Sequence, residues 1–361
     1  MIDKVLLFPY WLTLKIRHFM YDHGMRKVHT PDVPTICVGN VTVGGTGKTP
    51  HTEMIIRTLL QDPEWSEKNI AVLSRGYKRK TRGFQQVVYE GSARQFGDEP
   101  MQIKRKFPSV TVAVDKSRKQ GCSFLSDPEK VQASRKGRKC LHKDFPKADL
   151  IILDDAFQHR AVKPAVSVVL VDYNRPIFKD HLMPFGRLRD LPERIKAADI
   201  VIVTKCPTDI KPIDFRIVTK NLDLRPYQRL FFTTFSYGDL RAFNAPHKQK
   251  ALSSLSGQTH ILLITGIASA MPLVEKLRER TGHIIHMEYG DHHSFSQSEL
   301  KAISNTFASI EAENKLIITT EKDAARLSTY SLDKTITNNL YILPIKVEFL
   351  QDLQESFDNY I

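Results

Sequence analysis

Thr42-Val43-Gly44-Gly45-Thr46-Gly47-Lys48-Thr49 is the stretch on which the fold turns. It follows the apolar run Thr35-Ile36-Cys37-Val38 and precedes an apolar helical stretch, the strand–loop–helix setting of a phosphate-binding loop. Against the standard pattern G-x-x-x-x-G-K-[ST], Thr42 stands where the first glycine is expected. The remaining positions keep the physics. Gly44, Gly45 and Gly47 let backbone amides turn inward around phosphate oxygens, and the next helix offers its positive N-terminal end. Lys48 is placed to reach the β- and γ-phosphates, and the Thr49 hydroxyl to ligate Mg²⁺. A chance glycine turn is a poor rival to so long a match in this context. Residues 42–49 are expected to bind a nucleoside triphosphate; the loop by itself names no reaction.

The acidic partner of such a loop belongs at the end of another buried strand. Leu150-Ile151-Ile152-Leu153-Asp154-Asp155 supplies two carboxylates at a strand's C-terminal edge, where ligands of these sheets bind. Taken alone, the pair reads as a helix cap. With the loop, Asp154 is the expected Mg²⁺ contact and Asp155 its assistant.

Working outward, the first half alternates β-branched runs with amphipathic stretches, which predicts a parallel sheet covered by helices. Further strands are expected at 70–73, 110–114, 166–171 and 200–203. A second alternation begins near Arg229, with strands at 230–232, 260–264, 283–286, 315–318 and 341–343 and a helix over 270–280. Pro207, Pro212 and Pro226 suggest a linker over 208–228. The fold class is therefore α/β, a two-lobed P-loop NTPase-like protein. Residues 1–225 form the nucleotide-binding domain, with a mainly parallel sheet, and 226–361 a smaller α/β domain closing over a cleft.

The balance of 53 Lys+Arg against 40 Asp+Glu leaves a net charge of +13, which favours an anionic partner. The basic segment 115–143 contains Phe124 as its one aromatic, so the interleaved stacking residues of a nucleic-acid binder are missing there. The four cysteines are scattered without a C-x-x-C pair, which argues against a zinc site or disulfide framework and suits a reducing compartment. Val5 to Leu14 is apolar but too short to span a bilayer, and no small-residue cleavage site follows it. If Pro9 opens a helix, Phe8, Leu12, Ile16 and Phe19 share one face, flanked by Lys15, Arg17 and His18. Such a helix, within about the first 25 residues, either lies in a membrane interface or packs on its own domain.

From these residues onward the sequence resembles the tetraacyldisaccharide 4'-kinase (lipid A 4'-kinase) family. The resemblance runs in order through Gly39 to Pro50, Ser74-Arg75-Gly76-Tyr77, Gly97-Asp98-Glu99-Pro100, Asp154-Asp155-Ala156-Phe157-Gln158-His159, Asp291-His292-His293-Ser294-Phe295 and Thr320-Glu321-Lys322-Asp323. Two departures are Ala156, where the family usually has glycine, and Met183 to Arg189 in place of its Gly-Pro-Leu-Arg segment. The resemblance implies transfer of the γ-phosphate of ATP, with Mg²⁺, to the 4'-hydroxyl of a tetraacyl disaccharide 1-phosphate. The product is the bis-phosphorylated lipid A precursor, made at the cytoplasmic face of a bacterial inner membrane by a peripheral enzyme that needs no obligate protein partner.

It also implies an Asp98–His292 dyad, with Asp98 taking the proton of the 4'-hydroxyl and His292 orienting it, while Glu99 joins Thr49, Asp154 and Asp155 around the metal. Arg75 and Arg187 are candidate substrate contacts, and Lys48 acts on the transferred phosphate. Without the resemblance, Asp98 reads as a helix start before Pro100, His292 and His293 as caps of a helix near Ser296, and Thr320 as a helix cap. A P-loop GTPase or ATPase switch acting on a protein partner is the competing class. It calls for an Asn-Lys-x-Asp guanine reader, to which Thr204-Lys205 is the nearest approach.

Overall fold

The computed structural model describes residues 2–245, 247–291, 293–351 and 353–361, the first five of these (2–6) without their side chains. Eight strands appear first: β1 (Thr35–Asn40), β2 (Ile70–Ser74), β3 (Gln85–Gln86), β4 (Thr111–Val114), β5 (Leu150–Asp154), β6 (Val166–Asp172), β7 (Ile200–Thr204) and β8 (Arg229–Tyr237). Six follow: β9 (Leu240–Ala242), β10 (Gln249–Lys250), β11 (His260–Thr265), β12 (Ile284–Glu288), β13 (Lys315–Thr320) and β14 (Leu340–Leu343). The last, β15 (Ile345–Phe349), returns to the first sheet, whose order is β15-β8-β7-β6-β1-β5-β2-β4-β3. The second sheet runs β10-β9-β14-β13-β11-β12.

In the first sheet β1, β2, β4, β5, β6, β7 and β8 pair in parallel, and β3 is antiparallel to β4. Every residue of β1, β2, β4, β5 and β7 is buried because both faces are covered, which is why they read as unbroken apolar runs. β1 sits between β5 and β6, where the chain, having built β2 and β4 on one side, turns back to build the other. This is the switch point at which α/β sheets open a binding crevice beyond their strand ends. The phosphate loop leaves β1 there and enters helix α2 (Lys48–Gln61).

Two readings are corrected. Leu230 to Phe232, expected to open the second lobe, lies in β8 and pairs in parallel with β7 of the first sheet. The expected linker 208–228 contains the helix Pro212–Leu222, in which Pro212 occupies the first turn, where its missing N–H costs nothing. That helix is the crossover a parallel β7–β8 pair requires. The chain divides into two compact units: residues 1–91, 103–235 and 347–361 in the first, and 92–102 with 236–346 in the second. These bounds differ from a single break at residue 225.

Helix α1 (Ile2–Asp22) begins before Pro9 and carries it inside, rather than starting at it. Phe8, Ile16 and Phe19 are 54%, 51% and 51% exposed, and Leu12 shares their face, while Leu14 and His18 are buried on the other. Among the described residues no helix is long and apolar enough to cross a membrane. The segment 115–143 forms short helices that bury Cys122, Phe124, Leu125 and Val131 in the first unit's core, so only part of it is solvated surface.

Candidate active site

The phosphate loop is shaped by glycine and held from below by asparagine. Gly44 (φ 106°) and Gly47 (φ 85°) take left-handed backbone, which a side chain disfavours. At Gly47 a β-carbon would also come within 2.6 Å of Phe235 Cζ, so the ring would have to shift. Asn40, fully buried at the end of β1, donates to the Thr46 hydroxyl (2.7 Å), while its carbonyl accepts from the Gln158 amide (2.5 Å). The Thr204 hydroxyl donates to the Thr46 carbonyl (3.0 Å). Across the loop, the N–H of Val43 donates to the Arg187 carbonyl (2.7 Å) and the N–H of Arg189 to the Val41 carbonyl (2.9 Å). Residues 187–189 thus brace residues 41–43 as a short antiparallel bridge.

The carboxylates come from β5, the strand beside β1. Asp154 is buried and accepts from the Ser74 hydroxyl (3.1 Å) and the Thr52 hydroxyl (3.4 Å). Asp155 takes φ 48°, a left-handed conformation that Asp tolerates better than most residues. The Arg189 guanidinium grips both its oxygens, and Lys48 Nζ stands 3.9 Å away. Burial pushes the Asp155 carboxyl up, but Lys48, Arg189 and Arg118 together outweigh it and leave the pKa below its ordinary value. Arg118, itself buried, donates to the Asp154 carbonyl (3.2 Å).

Thr49, Asp154 and Asp155 offer one hydroxyl and two carboxylates on adjacent elements. Among the described residues no three His, Cys, Asp or Glu side chains group into a complete cage for a metal. The donor set fits Mg²⁺, which is ordinarily held by one or two carboxylates plus phosphate oxygens and waters.

His51, on the first turns of α2, is fully buried. Its Nδ1 lies 2.8 Å from the Gly47 carbonyl and its Nε2 3.0 Å from the Thr233 hydroxyl. A carbonyl only accepts, so Nδ1 carries the proton and Nε2 accepts from Thr233. Burial drives its pKa down to about 4, so the ring is neutral.

Asp98 and Glu99 belong to the second unit and open the helix Asp98–Lys106. Arg326 Nε donates to Asp98 Oδ2 at 2.9 Å, and Lys322 Nζ lies 3.5 Å from Glu99 and 3.0 Å from Asp291. His292 lies outside the described residues. The helix Gln297–Ala308 is capped by Ser296 with Glu299, not by a histidine, and His293 stacks on Tyr289 and contacts Glu299 (3.0 Å). Thr320 does cap the helix Glu321–Leu327.

Of the expected substrate contacts, Arg75 is exposed just past β2. Arg187 is exposed beside the loop, its Nη1 3.4 Å from where a Gly44 β-carbon would sit. Thr204 is spent on the Thr46 carbonyl and Lys205 pairs with Asp172 (2.7 Å), so the segment nearest to a guanine reader serves the loop and the sheet. Sequence reasoning missed Asn40, Arg118 and Arg326. Asn40 sits inside the loop motif and was open to notice; no local pattern marks the two arginines.

Residues 4–361 match the family model described as LpxK, Tetraacyldisaccharide-1-P 4'-kinase. A Tetraacyldisaccharide 4'-kinase of Phocaeicola vulgatus is 44% identical over 348 residues, covering 96% of this chain and 90% of the relative. One from Bacteroides fragilis is 45% identical over 356 residues, covering 98% and 89%. A crystal structure of LpxK from Aquifex aeolicus in complex with ATP shares the fold with a TM-score of 0.72, at 23% identity over 100% of this chain and 99% of that one.

Proposed function

We propose that this chain, which belongs to the tetraacyldisaccharide-1-P 4'-kinase family, transfers the γ-phosphate of ATP to the 4'-hydroxyl of tetraacyldisaccharide 1-phosphate. The observation that carries the reading is the braced loop of residues 42–49, with Lys48 Nζ 3.9 Å from Asp155, which directly follows Asp154 at the end of the neighbouring strand. The loop amides and Lys48 hold the triphosphate, so the γ-phosphorus is oriented before the acceptor attacks. Thr49, Asp154 and Asp155 would hold Mg²⁺, with Glu99 proposed to join them. The ion, when bound, neutralises charge on the β- and γ-oxygens.

Asp98 accepts the proton of the 4'-hydroxyl as the oxygen–phosphorus bond forms. The bond from the γ-phosphorus to the β,γ-bridging oxygen breaks, and ADP leaves. Base assistance of this kind contributes roughly 10²–10⁴ in rate. His292 is proposed to orient Asp98. Arg75 and Arg187 offer exposed guanidinium groups for anionic oxygens of the acceptor.

The acceptor's acyl chains keep it in a lipid layer, and the apolar face of α1 formed by Phe8, Leu12, Ile16 and Phe19 suits that layer's interface. The protein is proposed to work there as a peripheral enzyme on the cytoplasmic side, where ATP is found, without an obligate protein partner.

Pure protein with MgATP and the disaccharide 1-phosphate in detergent is expected to yield the bis-phosphorylated lipid. Asp98→Ala is expected to lose about 10²–10⁴ in kcat while still binding ATP. Absence of product across several detergents overturns the kinase reading; near-normal kcat in Asp98→Ala removes Asp98 as base.

A further inference from the structure

We propose that Arg326 is a positioning residue for the transfer, fixing the carboxylate of Asp98 toward the acceptor hydroxyl; the proposal rests on the kinase reading above. The two residues are 228 positions apart in sequence, yet both belong to the second unit. Arg326 Nε donates to Asp98 Oδ2 (2.9 Å), and Nη2 stands 2.9 Å from the same oxygen. Two donors converging on one oxygen oppose rotation of the carboxylate about its Cβ–Cγ bond. The guanidinium is held in turn. Its Nη1 donates to the Gly266 carbonyl (2.8 Å) and to Asp323 Oδ1 (2.8 Å). Asp323, fully buried, accepts at Oδ2 from the Gly266 N–H (2.9 Å) and from the Thr320 hydroxyl (2.7 Å).

Gly266 follows β11 and Thr320 ends β13, which are neighbouring parallel strands. Asp98, at the start of its helix, is therefore tied to the C-terminal edge of the second sheet through Arg326, whose side chain is 5% exposed. An ion pair kept only for stability does not need a planar fork shared among Asp98, Gly266 and Asp323 and lying 3.8 Å from Asp291. A base that must meet a hydroxyl in line with a phosphorus needs that orientation, because misplacement by about 1 Å can cost about 10²-fold in rate.

The test measures kcat and KM for ATP, with unfolding temperature, in wild type, Asp98→Ala, Arg326→Ala, Arg326→Lys and the Asp98→Ala/Arg326→Ala double variant. Arg326→Ala is expected to lose on the order of 10²-fold in kcat, with the KM for ATP within about twofold, and to regain part of the rate when guanidinium is added to the assay. Arg326→Lys keeps the charge but not the fork and is expected to fall between. The double variant is expected to be no slower than Asp98→Ala, since Arg326 acts through Asp98.

Should Arg326→Ala fail to fold, Gly266→Ala serves in its place. It keeps every charge, but its β-carbon would crowd Asp323 Oδ1 at 3.0 Å and Arg326 Nη1 at 3.3 Å. It is expected to lower kcat with the KM for ATP unchanged. A wild-type kcat in Arg326→Ala, or in both Arg326→Lys and Gly266→Ala, overturns the proposal while leaving the kinase reading intact. So does a double variant in which the two losses multiply. Wild-type protein without transfer overturns the kinase reading itself.

Discussion

His51 gives the first turn of α2 a pH dependence whose sign follows from its burial. Its ordinary pKa of 6.5 falls to about 4 in the fold. Between those values the unfolded chain takes up a proton that the folded chain refuses, so stability rises with pH across that window and is lost as pH falls through it. Replacing His51 with Gln is expected to flatten the slope of melting temperature against pH between about 4 and 6.5. An unchanged slope in the variant would refute the assignment. The residue also marks how far the sequence could be read. Lys48 and Thr49 were legible because the motif fixes their chemistry locally. His51 was not, because its role depends on Thr233, 182 positions away. Arg189 and Asn40 are alike in this: their pairing (2.6 Å) spans 149 positions and is created only when residues 187–189 fold across the loop.

Among the elements, the exposed face of α1 was legible, because helical spacing alone sorts Phe8, Leu12, Ile16 and Phe19 onto one side, although its start before Pro9 was not. The opposite face, however, is not plain core. The Tyr10 hydroxyl donates to the Arg189 carbonyl (3.0 Å), Arg17 to the Gln158 carbonyl (2.6 Å), and His18 pairs with Asp190 (2.6 Å). One face is thus docked by polar contacts while the other keeps its apolar side chains outward. Ile16→Asp with Phe19→Asp is expected to weaken vesicle binding by at least tenfold, given about 1.5–3 kcal/mol for burying each such side chain, with ATP binding preserved. Vesicle binding equal to wild type would remove the interfacial role. β1, β2, β4, β5, β6 and β7 were legible as buried β-branched runs, whereas the edge strands β3 and β15 carry no such run. β8 was assigned to the wrong lobe because an apolar run shows that a strand is buried, not which neighbour it pairs with. Pro212 reads in the sequence as a breaker and suggests a linker, but in the fold it opens the helix Pro212–Leu222.

At the scale of the whole molecule, the excess of +13 and the apolar face of α1 would make separable contributions to the proposed membrane affinity. Raising salt from about 0.1 M to about 1 M shortens the screening length from about 10 Å to about 3 Å. Binding to anionic vesicles is expected to fall over that range, and binding to zwitterionic vesicles to hold. Equal salt sensitivity on both would assign the charge no part in docking. The division into two units was visible only in outline, because the second borrows residues 92–102 from the middle of the first unit's sequence. No linear boundary can express that exchange, and it is what places Asp98 with Arg326.

With Asp155 as a proposed magnesium ligand, the hold of Lys48 and Arg189 on its carboxylate bears on how that ion would arrive. A bare dication approaching that carboxylate meets two positive neighbours and is repelled. Escorted by a triphosphate, it comes as part of a net anion that the same two groups attract. On the proposed metal role of Asp155, metal and nucleotide would load together as one species, with phosphate oxygens replacing the carboxylate as the neighbour of Lys48.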